Sequence, residues 1–355
     1  MANLDNIIKR YKHIRSISEL RATYSCQYAL VGVGNHCVSN LLPVIQYLQL
    51  PLKYICCTSD EKALLISQKY NGVKGTANLN DILDDKTISG IFVATSPHEH
   101  FKIARKVIKA GKSLFIEKPP CENEEQLHAL TDSIRLYGPC HVVVGLQRRF
   151  APVTQILRRL LRKADKHHYL YRYHTGLYPE GDALLELFIH PLDYVVFLFG
   201  EAKLKAVNAI QTKNGGLTLM LMLEHHGITG MLELSTDYSW HNAKEELSIS
   251  TSKGCYTLSD MESLDFSQKH SSFWGIPLEK LMPSNTTITR LHARNAFLPT
   301  LGNNQIVAQG FFDEIKSFAD MVENKCEDTF AFGFESLKHT YSLMAKIRER
   351  VQYAQ

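Results

Sequence analysis

Between residues 4 and 24, Ile7, Ile8, Tyr11, Ile14 and Leu20 recur at near-helical spacing among basic residues, which predicts a helical stretch. Ser16 followed by Glu19 fits a capping box, so the stretch can divide into two short helices. The apolar run Tyr28-Ala29-Leu30-Val31 then ends in Gly32-Val33-Gly34. A short apolar run closed by glycine reads as a strand buried on both faces. Up to Val144 such runs alternate with helical patterns. Strands are predicted at 52–57, 91–94, 113–116 and 141–144, and helices at 59–70, 98–110 and 122–137. That alternation predicts βαβ units and a parallel sheet with right-handed crossovers.

After one more helix, at 153–163, the pattern changes. An apolar helix is predicted from Glu180 to Phe199, stopping at Gly200. Strands without intervening helices follow, at 202–211, 217–224, 228–235, 246–250 and 255–258. This is the pattern of an antiparallel sheet with one covered face. Residues 261–304 give no ordered pattern, and two helices, 306–322 and 334–352, close the chain.

Composition narrows the function classes. In 355 residues, 45% apolar and 21% charged is ordinary globular usage, which excludes disorder or a coiled-coil rod for the whole chain. A net charge of +4, from 40 basic and 36 acidic residues, is too balanced to imply nucleic acid. No apolar run approaches the roughly 18–20 residues that span a bilayer. The first six residues lack the basic and apolar regions of a secretory signal. Eight cysteines without a CxxC pair fit buried thiols in a reducing cytoplasm. The runs His98-Glu99-His100, His167-His168 and His225-His226 lack HExxH spacing, so no metal is assigned.

Gly32-Val33-Gly34-Asn35-His36-Cys37 follows a strand and opens a helix, as in a dinucleotide-binding GxGxxG turn with Cys37 in place of the last glycine. The first glycine makes the tight turn, and the second lets backbone approach a pyrophosphate at the helix N-terminus. At the tip of the second strand, where a carboxylate would bond the ribose 2′-hydroxyl, stands Thr58, followed by Ser59 and Asp60. Thr58, Ser59 and Lys62 could instead accept a 2′-phosphate. The cofactor is therefore NAD or NADP, with a slight lean to NAD. Glu117-Lys118-Pro119-Pro120 ends another strand, where open α/β sheets bind ligands, and its lysine suits proton transfer at a substrate hydroxyl.

An ordered set of motifs resembles the glucose–fructose oxidoreductase/inositol dehydrogenase (Gfo/Idh/MocA) family. The set is Phe92-Val93-Ala94-Thr95-Ser96-Pro97-His98-Glu99-His100, Ala110-Gly111-Lys112, Glu117-Lys118-Pro119 and Gly145-Leu146-Gln147-Arg148-Arg149-Phe150. The resemblance covers roughly residues 26–355. It implies an α/β protein: a Rossmann domain at 26–147 after a helical extension at 1–25, then an α+β domain at 148–355 with a large, mostly antiparallel open sheet. It also implies NAD(P) chemistry on a carbinol carbon of a sugar, sugar derivative or cyclitol. On it, Ala94, Thr95, Ser96, Pro97, His100, Glu117, Lys118 and Gln147 join Gly32, Gly34, Asn35 and His36 as cofactor-binding candidates.

In the second half, Glu186, His190 and Asp193 recur at i, i+4 and i+7, on one face of an apolar helix if that helix is continuous. Pro191 can kink it. Measured against the family's D-x-G-x-H pattern, His190 matches the histidine, Glu186 replaces the aspartate and Phe188 the glycine. The resemblance implies His190 as general base, Lys118 as its catalytic partner, and Glu186, Asp193, Arg148 and Arg149 near the substrate. The expected partners are a carbohydrate-like small molecule and a homodimer or homotetramer formed through the C-terminal sheet, with no nucleic acid or membrane. The competing readings are a non-catalytic dinucleotide sensor or scaffold of the same fold, and a reductase of a non-sugar substrate.

Overall fold

The computed structural model describes residues 2–20, 23–138, 140–269, 272–281, 288–294, 304–326 and 332–353. Six parallel strands form the first sheet: β1 Gln27–Val31, β2 Leu52–Cys56, β3 Lys74–Thr76, β4 Ile88–Val93, β5 Ser113–Glu117 and β6 Val142–Gly145. Their order is β3-β2-β1-β4-β5-β6, so the chain reverses direction of winding between β1 and β4. Sheets of this kind bind ligands at that switch point, beyond the carboxyl ends of the strands. Strand β3 and the short helix Asn80–Leu83 were not in the sequence reading. Their spans are too short to set a period.

The helix after β1 contains a π-type turn over Cys37–Leu41. The Leu42 N–H reaches Cys37 O, five residues back, and Pro43, which follows, has no N–H to give. The N-terminal stretch is one helix, Ala2–Leu20, not two. Near the other end of the chain, Gly310 (φ 99°) splits the expected 306–322 helix into Gln305–Ala308 and Phe311–Val322. A Cβ on Gly310 would lie 2.0 Å from Gln147 O, so only glycine lets the chain pass there. The Phe311–Val322 helix covers the first sheet, with the Phe318 ring 5.0 Å from Phe92 and 6.0 Å from Phe115.

The second sheet adds β7 Lys166–His174, β8 Lys203–Gln211, β9 Leu217–His225, β10 Ile228–Ser235, β11 Lys244–Thr251, β12 Gly254–Ser259 and β13 Ser263–Gln268. A hairpin of β14 Ser272–Phe273 and β15 Ile276–Pro277 stands apart, and β16 Ile288–Ala293 completes the sheet. The order is β16-β13-β12-β11-β7-β10-β9-β8, antiparallel except where β10 runs parallel to β7. The sheet is therefore mostly antiparallel, as the resemblance implied. Strand β7 falls between the predicted 153–163 helix and Glu180, where no element was predicted. Its period of two is plain once sought: Tyr169, Tyr171 and Tyr173 point inward and are buried. They meet Phe199, Tyr194 and Phe188 of the covering helical segment at ring distances of 4.7, 6.1 and 6.4 Å. Beyond Leu258, four strands fall in the region that gave no pattern.

The predicted helix from Glu180 to Phe199 is in fact two, Ala183–Glu186 and Ile189–Phe199, parted at Leu187-Phe188. Asp182 caps the first, its Oδ1 accepting from Leu184 N and Leu185 N. Pro191 lies in the first turn of the second, where its missing N–H costs nothing. Glu186 and His190 are thus not on one face of one helix.

Candidate active site

A cavity of about 910 Å³ lies at the switch point between β1 and β4. Gly32 turns the chain there at φ 94°, and a Cβ on it would come 2.4 Å from Ala94 O. Both facts require glycine. Gly34 lines the cavity, and a Cβ on it would meet nothing within 4 Å. Asn35 and His36 begin the helix at the cavity wall. A glycine turn, open space and a helix N-terminus fit the pyrophosphate of a dinucleotide. Thr58 and Lys62 line the cavity at the end of β2, and Ala94, Thr95 and Ser96 at the end of β4. Lys62 Nζ donates to Thr58 Oγ1 at 3.4 Å.

Other expected cofactor residues support this wall from behind. Ser59 caps the next helix, its Oγ accepting from Lys62 N. His100 is buried between two carbonyls, Nδ1 2.7 Å from Pro119 O and Nε2 3.0 Å from Thr95 O. Gln147 is buried in the turn Gln147–Arg149. Glu117, buried at the end of β5, accepts from His36 Nε2 at 3.1 Å and from the Lys118 N–H at 3.3 Å. Asn40 Nδ2 donates to His36 Nδ1, which leaves Nε2 to carry the proton that Glu117 accepts.

Lys118 reaches across to the second half of the chain, its Nζ donating to the main-chain oxygen of Glu186 at 2.7 Å. Burial lowers the pKa of this ammonium, and Glu117 opposes the shift. His190 is 7% exposed, and its Nδ1 has no hydrogen-bond partner among the described residues. Burial, then the charges of Arg148 and Lys118 and the His36 ring, hold its pKa well below 6.5. Lys118 is therefore brought against Glu186, 68 residues on and four before His190. A second cavity, of about 560 Å³, adjoins this region and shares Ser96 and His98 with the first. Pro97, Glu180, Asp182, Glu186 and Arg348 also line it. The Glu186 carboxylate does not reach His190 as its partner. It accepts from Tyr178 OH at 2.8 Å and from Asp182 N at 3.2 Å.

The two arginines and Asp193 differ from their expected place at the substrate. Arg149 grips Asp193, Nε to Oδ2 at 2.8 Å and Nη2 to Oδ1 at 2.5 Å, while Nη1 donates to Ser336 Oγ. Thr340 Oγ1 also donates to Asp193. Both partners are buried, so this is an internal clamp between the Gln147–Arg149 turn and the Ile189–Phe199 helix. Arg148 forms a buried pair with Glu245, which also accepts from Tyr171 OH at 2.5 Å. Its Nη1 keeps no partner among the described residues. Glu245 escaped the sequence reading because it stands in an ordinary strand pattern. Among the described residues no group of three or more His, Cys, Asp or Glu could hold a metal, and no helix is long and apolar enough to cross a membrane.

A parallel Rossmann sheet with a cavity at its switch point, beside a large, mostly antiparallel sheet, is the fold of a dinucleotide-binding protein. Residues 26–145 match the model of the Gfo/Idh/MocA oxidoreductase family with its NAD-binding Rossmann fold. The putative oxidoreductase YceM of Salmonella typhimurium (strain LT2) is 28% identical over 248 residues, 65% of this chain and 75% of YceM. A dehydrogenase from Chromobacterium violaceum superposes with a TM-score of 0.76 at 19% identity, covering 93% of this chain and 98% of that one. A levoglucosan dehydrogenase solved with NADH and levoglucosan gives 0.72 at 16% identity, over 92% and 97%.

Proposed function

We propose that this protein moves a hydride between NAD(P) and a carbinol or carbonyl carbon of a sugar, sugar derivative or cyclitol. The reach of Lys118 to the Glu186 backbone, four residues before His190 and beside a small polar cavity lined by Pro119 and Glu186 that adjoins the larger one, carries the proposal. When bound along the Gly32–Gly34 turn, the cofactor supplies the hydride acceptor or donor. His190, kept neutral by burial, takes the hydroxyl proton. Lys118 exchanges its bond to Glu186 O for one to the substrate oxygen and stabilises the developing alkoxide charge. Glu186, Glu180 and Asp182 accept from polyol hydroxyls. Asp193 and Arg149 act indirectly, by holding the His190 helix.

The cavity favours NADP over the initial lean to NAD. No carboxylate stands at the tip of β2, and Lys62, Lys102 and Lys106 line the same cavity. An anionic 2′-phosphate would find cations there, whereas a free ribose would lack its usual acceptor. The open face of the second sheet supports self-association: Met222, Met231 and Leu170 face each other across β9, β10 and β7, and Met231 is 59% exposed. The deciding experiment identifies the nucleotide released from purified protein by mass. Stripped protein is then titrated with NAD and NADP and assayed on sugars and cyclitols. Retention of either with turnover of a polyol supports the proposal, and binding of neither overturns it.

A further inference from the structure

Glu314 lies on the Phe311–Val322 helix, on the same apolar face as Phe311 and Phe318. It is 0% exposed, and neither carboxyl oxygen has a hydrogen-bond partner among the described residues. An ionised carboxylate buried without partners is so costly that the group takes up a proton instead. Of the elements packed on this helix, β4, β6 and Gln305–Ala308 carry no ionisable side chain, and β5 carries Glu117. The segment Cys37–Tyr47 brings Cys37 and Tyr47, with His36 just ahead of it, its ring 5.6 Å from that of Phe311. The turn Gln147–Arg149 brings Arg148 and Arg149, engaged with Glu245 and Asp193. On the helix itself stand Asp313, Lys316 and Asp320, and Lys316 pairs with Asp320. The nearest charges felt by Glu314 are thus Glu117, which raises its pKa after burial has done so, and Arg149, which opposes both.

We propose that Glu314 is a neutral carboxylic acid built in behind Glu117, so that this end of the cofactor cavity holds one negative charge instead of two. Glu314 is then a positioning residue. Glu117 alone is the anion that holds His36 and the Lys118 N–H, and the neutral acid behind it fills the space without repelling it. Only the cofactor part of the test below rests on the proposed function.

The first measurement is the melting temperature of ligand-free wild type and Glu314→Gln from pH 5 to 9. The unfolded chain releases this proton near the ordinary glutamate value of 4.5, and the folded chain keeps it. Wild type therefore loses stability relative to Glu314→Gln as pH rises above that value. The difference is expected to grow in favour of Gln by about 2–4 °C or more by pH 9. A merely space-filling role gives a constant difference, and that result, or failure of Glu314→Gln to fold, overturns the proposal. The second measurement is the ratio of affinities for oxidised and reduced cofactor at pH 7. Glu314→Gln is expected to leave it unchanged, whereas Glu117→Gln weakens the oxidised, cationic form several-fold relative to the reduced. A ratio altered alike in both variants makes Glu314 charged and overturns the proposal. A ratio unmoved by Glu117→Gln, with the melting behaviour as expected, removes Glu117 from the cofactor's charge and sustains the neutral acid.

Discussion

Lys118 Nζ and the Glu186 carbonyl oxygen, 2.7 Å apart, join the end of the first sheet's β5 to the short helix Ala183–Glu186 of the second half. The acceptor is backbone, so the lysine is positioned whatever side chain residue 186 carries. Lys118→Ala is expected to lower kcat by about 10²–10⁴ while nucleotide affinity stays nearly intact. Glu186→Gln keeps the lysine in place and raises KM more than it lowers kcat. Steady-state kinetics beside nucleotide titration check both, and unchanged turnover in Lys118→Ala sinks the proposed site.

His190 carries a pH signature. Burial and its cationic neighbours hold the ring well below 6.5, so it remains a base where an exposed histidine is already protonated. The acid limb of kcat/KM for a hydroxyl substrate is expected below pH 6.5, and its loss in His190→Asn accompanies a fall in rate. The sign for stability is the same: the unfolded chain binds this proton as pH falls through about 6.5 and the folded chain does not, so acid destabilises the fold. An acid limb above 6.5 counts against His190 as the base.

The Arg149–Asp193 clamp belongs to stability. Asp193→Ala leaves a buried guanidinium without its main partner, which costs about 3–5 kcal/mol. Urea denaturation is expected to register that loss while cofactor affinity of the folded fraction is kept. A wild-type midpoint together with raised substrate KM would return Asp193 to the substrate.

At the adenine end, Lys62→Ala is expected to weaken NADP by roughly tenfold, with NAD unaffected, because only NADP carries the phosphate. Parallel titrations read this directly. Equal weakening of both would remove Lys62 from 2′ recognition.

Gly32→Ala tests the cradle itself. Left-handed backbone strain costs about 1–3 kcal/mol, and the new Cβ also meets Ala94 O. A lower melting temperature with lost nucleotide binding is expected, while Gly34→Ala, with open space around it, spares the fold and penalises binding alone.

The parallel sheet and the glycine turn were legible in the sequence because each is written in adjacent residues. Apolar runs alternating with helical periods encode βαβ units locally, and two glycines two apart encode a turn. Strand β7 is written in its alternating tyrosines, but the basic residues and histidines between them mask the apolar period. The break at Leu187-Phe188 was not legible, because an apolar run fits one helix or two equally well, and packing of Phe188 on Tyr173 fixes the chain there.

What each arginine does was decided by tertiary structure alone. Arg148 and Arg149 are neighbours in sequence, yet one pairs with Glu245 and the other with Asp193, 97 and 44 residues away. Glu314 shows the same limit: a glutamate on a helix reads as surface until the fold buries it and gives its oxygens no partner. Charged groups buy no information about their partners from local pattern, since Coulombic and hydrogen-bond pairing acts through space and carries no period along the chain. The sequence by itself determined which residue types stand at the strand ends, and only the folding of the second half against the first decided which of its charged groups line a cavity and which face each other.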